Sequence, residues 1–176
     1  MLEFKGLGLH VSEPTTSDSD SKSGLIVIQE WWGLNAHMKA MTDRFASSLG
    51  CIAVCPDLYH GKSTTAPDEA HHLMSNLDWP GAIEEIRTTC AYLMERGCSK
   101  IGVVGFCMGG ALALASAVKL DCLDACVVFY GIPPRELADP ATILVPTQFH
   151  FSDKDTMKGF SDPDVPCFYL GVRRTD

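Results

Sequence analysis

The sequence predicts an α/β fold in three layers: a mainly parallel central sheet with helices on both faces. Two observations carry this. Short continuous apolar runs, the mark of strands buried on both sides, alternate with longer segments of helical periodicity. Between one such run and the next helical segment stands a glycine-bracketed turn, Gly105-Phe106-Cys107-Met108-Gly109. At 176 residues the chain fits one domain, 1–176, which buries roughly 70% of its unfolded surface.

Residues 12–24 are polar and read as a loop. Leu25-Ile-Val-Ile-Gln29 then reads as an early buried strand. The helix after it takes Asn35 as cap and Gly50 as stop, with Met38, Met41, Phe45 and Leu49 as the stripe facing the sheet. Cys51–Cys55 is the next strand, and Asp68–Ser75 a short helix beyond a Gly/Ser/Thr/Pro loop. Asp78 and Pro80 open a stronger helix, with acidic residues expected in its first turn, Ile83, Ile86, Cys90 and Leu93 on one face, and Gly97 at its end. Lys100–Gly105 is a strand, and Met108–Val118 a helix apolar all round and hence interior. Ala125–Tyr130 and a segment of Ile143–Phe151 beyond Pro146 supply two more strands, because proline cannot donate within a central ladder.

Composition narrows the function. A formal charge of −8 and a pI near 5.1 argue against nucleic acid, whose phosphates demand clustered Lys and Arg. The Arg173-Arg174 pair reads as a solvated tail. Hydrophobic residues make up 46% and mean hydropathy is +0.07, yet no apolar run approaches the 18 or more residues of a membrane span. The first residues lack the pattern of a secretory signal, so a cytoplasmic location is expected. Most of the eight cysteines lie within apolar runs and read as reduced core residues. They lack zinc-ligand spacing, so neither metal nor cofactor is expected.

The chemistry centres on Cys107. A G-x-C-x-G run between strand and helix is the thiol form of the nucleophile elbow. Gly105 and Gly109 are needed there because a tight turn leaves no room for side chains. The start of the following helix favours a thiolate, and the Met108 amide points where an oxyanion would form. Glu30, just past a buried strand, stands where open sheets bind ligands and reads as a proton acceptor. Phe151-Ser-Asp-Lys-Asp155 follows a late strand.

Three segments together, Gln29-Glu-Trp-Trp-Gly-Leu-Asn35, Cys55-Pro-Asp-Leu-Tyr59 and Gly105-Phe-Cys-Met-Gly-Gly110, resemble the dienelactone hydrolase family. The likeness runs from about Leu25 to Asp155. It implies an α/β-hydrolase fold and hydrolysis of a small ester or lactone through a cysteine acyl-enzyme. By motif position it implies Cys107 as nucleophile, Glu30 as the carboxylate engaging the thiol, and the Trp31 and Met108 amides as the oxyanion hole. Asp155 is the implied triad acid, with Asp153 in reserve.

Departures from the pattern are as informative. Val165–Gly171 resembles the family's last strand, but no histidine follows His150 anywhere in the 176 residues. The expectation is a C-terminus truncated or internally deleted, with its final strand and helix incomplete, and an impaired enzyme. No arginine lies between Arg44 and Arg87, so an expected substrate-carboxylate clamp is unmatched. The alternative is a non-catalytic pseudo-hydrolase that binds a small ligand in the same pocket. Among the histidines, His60 and His71 are the nearest to substitute bases.

Overall fold

The computed structural model describes residues 1–14 and 23–152. Seven strands form one sheet: β1 (Leu2–Phe4), β2 (Leu7–Ser12), β3 (Ser23–Ile28), β4 (Ile52–Pro56), β5 (Lys100–Phe106), β6 (Ala125–Phe129) and β7 (Thr147–His150). Their spatial order is β1-β2-β4-β3-β5-β6-β7, with β1, β2 and β4 paired antiparallel and every other neighbour parallel. The helices are α1 (Ala36–Leu49), α2 (Pro67–Ser75), α3 (Trp79–Glu95) and α4 (Met108–Lys119). α1 lies against the smaller core around Val27, Met38, Cys55 and Val104. α3 and α4 pack together over the larger core, with Ile86, Leu93, Leu112 and Leu114 fully buried. The predicted layered α/β architecture is therefore present.

Local signals set the helix ends. Asn35 Oδ1 accepts from Met38 N–H at 3.0 Å, and Gly50 closes α1 at φ 64°, where a side chain would be strained. Asp78 caps α3 by accepting from Gly81 N–H at 3.2 Å. Gly24, in β3, lies under the methyl groups of Leu93 from α3. β7 starts at Thr147, immediately after Pro146, as the missing proline donor requires.

Two expectations need correction. The stripe of α1 buries Met38, Thr42 and Ala46, whereas Leu49, the last residue of the helix, is 62% exposed. α3 has no acidic residue in its first turn, because it begins at Trp79 and places Glu84 and Glu85 one turn further in. The residues before the polar loop, to which the sequence reading gave no element, form a β1–β2 hairpin: Lys5 and Gly6, at φ 51° and 82°, make its primed two-residue turn. The alternation of Leu7, Leu9 and Val11 is its signal, with Leu7 and Leu9 buried. Among the described residues, no helix is long and apolar enough to cross a membrane.

Candidate active site

Cys107 occupies the single residue between β5 and α4, at φ 57° and ψ −121°. A positive φ at a non-glycine residue is strained and persists only where the surroundings enforce it. They do so on both sides. Cys107 N–H donates to Phe129 O at 3.0 Å, while Cys107 O accepts from Gly110 and Ala111 N–H at 2.9 and 3.2 Å. A Cβ on Gly105 would collide with the Gly109 carbonyl, and one on Gly109 would meet Gln29 O at 2.5 Å and Ile28 O at 2.6 Å. The start of α4 thus abuts the end of β3, bringing Met108 to the same rim of the sheet as the Glu30–Gly33 turn. Cys107 is only partly buried there, and Met108 is fully buried. As the first residue of α4, Met108 has an amide with no intrahelical acceptor.

The turn carrying Glu30 and Trp31 is fixed from two directions. Gly33 N–H donates to Glu30 O at 3.2 Å, and Thr64 N–H donates to Trp32 O at 3.0 Å across a Gly33–Ser63 bridge. Trp31 packs on the main core and meets Trp32 edge to face at 4.9 Å. Gln29, wholly buried, uses Oε1 to accept from Leu58 N–H at 3.3 Å and so ties the loop after β4 to the same turn.

Two tyrosines that the sequence reading did not single out complete the rim. Tyr130 O–H donates to Glu30 Oε1 at 3.0 Å. Burial pushes the Tyr130 phenol up, and the Glu30 carboxylate and Cys107 push it further, so it stays a donor at neutral pH. Tyr59 is buried, and its O–H donates to Met108 Sδ at 3.1 Å. Its phenol is also raised, first by burial and then by the proximity of Cys107. The available signal was position: Tyr130 follows the carboxyl end of β6 and Tyr59 lies three residues past that of β4, where open α/β sheets place their ligands.

The histidines are engaged elsewhere. His60 Nε2 contacts Glu85 Oε1 at 3.2 Å on a groove of about 360 Å³ that Tyr59, Lys62, His72 and Asp78 also line. Burial raises the Glu85 carboxyl, and His60 opposes the shift. His71 faces Ser75 within α2, His10 pairs with Asp43 at 2.8 Å, and His150 stacks on Phe129 at 4.3 Å. Asp153, Asp155, Arg173-Arg174 and the Val165–Gly171 segment lie outside the described residues. Among the described residues no cluster of three or more His, Cys, Asp or Glu side chains could hold a metal.

The family model of the dienelactone hydrolase family matches residues 10–165. The chain belongs to the dienelactone hydrolase family. Protein usf of Aquifex pyrophilus is 37% identical over 168 residues, a match covering 88% of this chain and 71% of that protein. The carboxymethylenebutenolidase of Pseudomonas putida is 31% identical over 143 residues, covering 74% and 60%. A solved structure from Klebsiella pneumoniae, 20% identical, superposes with TM-score 0.73 over 88% of this chain and 71% of that one. At that identity the superposition speaks for the α/β-hydrolase fold alone. Membership in the dienelactone hydrolase family supports a hydrolase role for the chain.

Proposed function

We propose that this chain opens small carboxylic esters or lactones by attack of Cys107 Sγ on the carbonyl carbon. The observation that carries the reading is the strained, partly exposed Cys107 at the carboxyl rim of the sheet, with Glu30 and Tyr130 paired beside it. Glu30 takes the thiol proton, and the Tyr130 O–H holds that carboxylate in place. The amides of Met108 and Trp31 receive the developing oxyanion, a kind of stabilisation whose removal costs about 10²–10³ in rate elsewhere. Collapse of the tetrahedral species breaks the C–O bond; the leaving oxygen takes up a proton, and an acyl thioester remains on Cys107.

Deacylation requires an activated water. In the relatives' pattern that task falls to a histidine after the acid, here Asp155, and the 176 residues contain none beyond His150. A protein made of these 176 residues alone would acylate faster than it deacylates. Oxyanion hole and binding alone retain about 10³–10⁴-fold catalysis when a triad member is missing. A small-molecule ester or lactone substrate and a cytoplasmic setting belong to the same proposal.

The test is p-nitrophenyl acetate with stopped-flow detection and intact mass. The expected result is a burst of about one nitrophenolate per chain, an acetyl group on Cys107, and slow steady turnover. Turnover unchanged by Cys107→Ala would refute the nucleophile. Ligand binding with no adduct would identify a binding protein that has kept only the pocket.

A further inference from the structure

Both segments that offer an amide to the oxyanion are touched by one loop, the stretch from Asp57 to Thr64 after β4. The loop holds its own shape: Asp57 Oδ2 accepts from Gly61 N–H at 2.7 Å, Asp57 O from His60 N–H at 3.2 Å, and Tyr59 O from Lys62 N–H at 3.2 Å. These bonds enforce a tight bend in which His60 stands at φ 52° and Gly61 at φ 89°. On one side the loop grips the Glu30–Gly33 turn: Leu58 N–H donates to Gln29 Oε1 at 3.3 Å, Ser63 bridges Gly33, and Thr64 N–H donates to Trp32 O at 3.0 Å. On the other, Tyr59 O–H donates to Met108 Sδ at 3.1 Å, where α4 begins. The backbone of Gln29 abuts Gly109, so the contacts close into a ring. We propose that this loop is a brace that sets the spacing between the Trp31 and Met108 amides, with Tyr59 and Gln29 as positioning residues for the oxyanion hole; the inference rests on the ester-opening reading of Cys107.

The energetics separate orientation from stability at Tyr59. A thioether sulfur is a weak acceptor, and the phenol gave up water to reach it, so the O–H adds little to the folding free energy. The ring alone would fill the same space. What the O–H adds is direction: it ties down the fully buried Met108 side chain, and with it the rotation of the first turn of α4, which carries the Met108 N–H. An oxyanion donor is effective only within a few tenths of an ångström of its place, so a small rotation there matters to the rate before it matters to the fold. Gln29 is different, because it is wholly buried and its Nε2 has no partner among the described residues. The chain carries the cost of that buried amide while its Oε1 holds the Leu58 N–H, one residue from Tyr59. Removing the Gln29 acceptor therefore loosens the brace and the core together.

The experiment compares two reactions of the same sulfur in the full chain. Acylation of Cys107 by p-nitrophenyl acetate passes through an oxyanion, whereas iodoacetamide alkylates by displacing iodide from a saturated carbon and forms none. Tyr59→Phe should slow the acylation burst about tenfold, a part of the about 10²–10³ lost when a donor is removed outright. Its alkylation rate at Cys107, read by peptide mass, and its melting temperature should match wild type. Gln29→Met should also slow the burst and spare alkylation, but melt earlier, because the buried Leu58 N–H loses its acceptor. A wild-type burst that Tyr59→Phe leaves unchanged overturns the brace. So does equal slowing of both reactions, which would put the effect on the thiol and not on the oxyanion. A wild-type chain that gains no acetyl group at Cys107 overturns the ester-opening reading itself, and the brace with it.

Discussion

Replacing Gly109 by alanine tests the claim that the nucleophile turn is wedged against the end of β3. The new Cβ would stand 2.5 Å from Gln29 O and 2.6 Å from Ile28 O, well inside contact distance and against backbone rather than a mobile side chain. Relief requires α4 and the end of β3 to separate. Forcing a methyl group into a packed site costs about 1–3 kcal/mol, and alanine returns about 0.5–1 kcal/mol through its better helix propensity. Because the clash is with backbone, the cost lies in the upper part of that range, about 2–3 kcal/mol, and the net loss is about 1–2.5 kcal/mol, or about 2–10 °C in Tm for a domain of this size. The same separation moves the Met108 amide away from the Glu30–Trp31 turn, so the acetyl burst should fall by more than the stability loss implies. Gly61→Ala serves as a control: it has positive φ but open space, and it should cost about 1–2 kcal/mol of backbone strain without touching the burst. Calorimetry paired with burst kinetics reads both. A Gly109→Ala protein that melts within a degree of wild type and bursts at the same rate would refute the wedge.

Tyr130→Phe removes the O–H that holds Glu30, and the burst rate should drop about tenfold, equivalent to about 1.4 kcal/mol at the barrier, with Tm nearly unchanged. An unaltered burst would mean that Glu30 needs no anchor. Asp124 accepts from Lys100 Nζ at 2.6 Å and Ile101 N–H at 2.9 Å, and these contacts hold its folded value below the ordinary 3.8. An acid depressed on folding stabilises fully above its unfolded value and loses that contribution as pH falls through the folded one. Asp124→Asn should therefore lower Tm at pH 7 and leave it nearly unchanged near pH 2; equal losses at both would refute the linkage. Met38→Ala should cost about 2–5 kcal/mol in urea unfolding, while Leu49→Lys should stay within about 0.5 kcal/mol, reversing the equal weight that periodicity alone assigns them.

Much of the layered fold was legible because its signals are local. Apolar runs buried on both sides, the Asn35 and Asp78 caps, the Gly50 stop and the block at Pro146 each act within a few residues, and the structure agrees at every one. Legibility failed where the outcome depended on what lay opposite. Leu49 shares the spacing of Met38, yet at the end of α1 the fold leaves it 62% exposed. The β1–β2 hairpin has a short, weak pattern and forms because β4 is there to pair with β2.

The sequence by itself determined the tight turn at Cys107: glycines on both sides of one residue between an apolar strand and an apolar helix mark a backbone with no room for side chains, and the structure holds Cys107 there at φ 57°. It also determined the family, through three short segments. Tertiary structure alone decided what surrounds Cys107. Tyr130 and Glu30 are 100 residues apart yet hydrogen-bonded, and Tyr59 reaches Met108 across 49 residues. Parallel strands bring their carboxyl ends to one rim whatever lies between them in sequence, so the neighbours of a site there are set by strand order and not by chain distance.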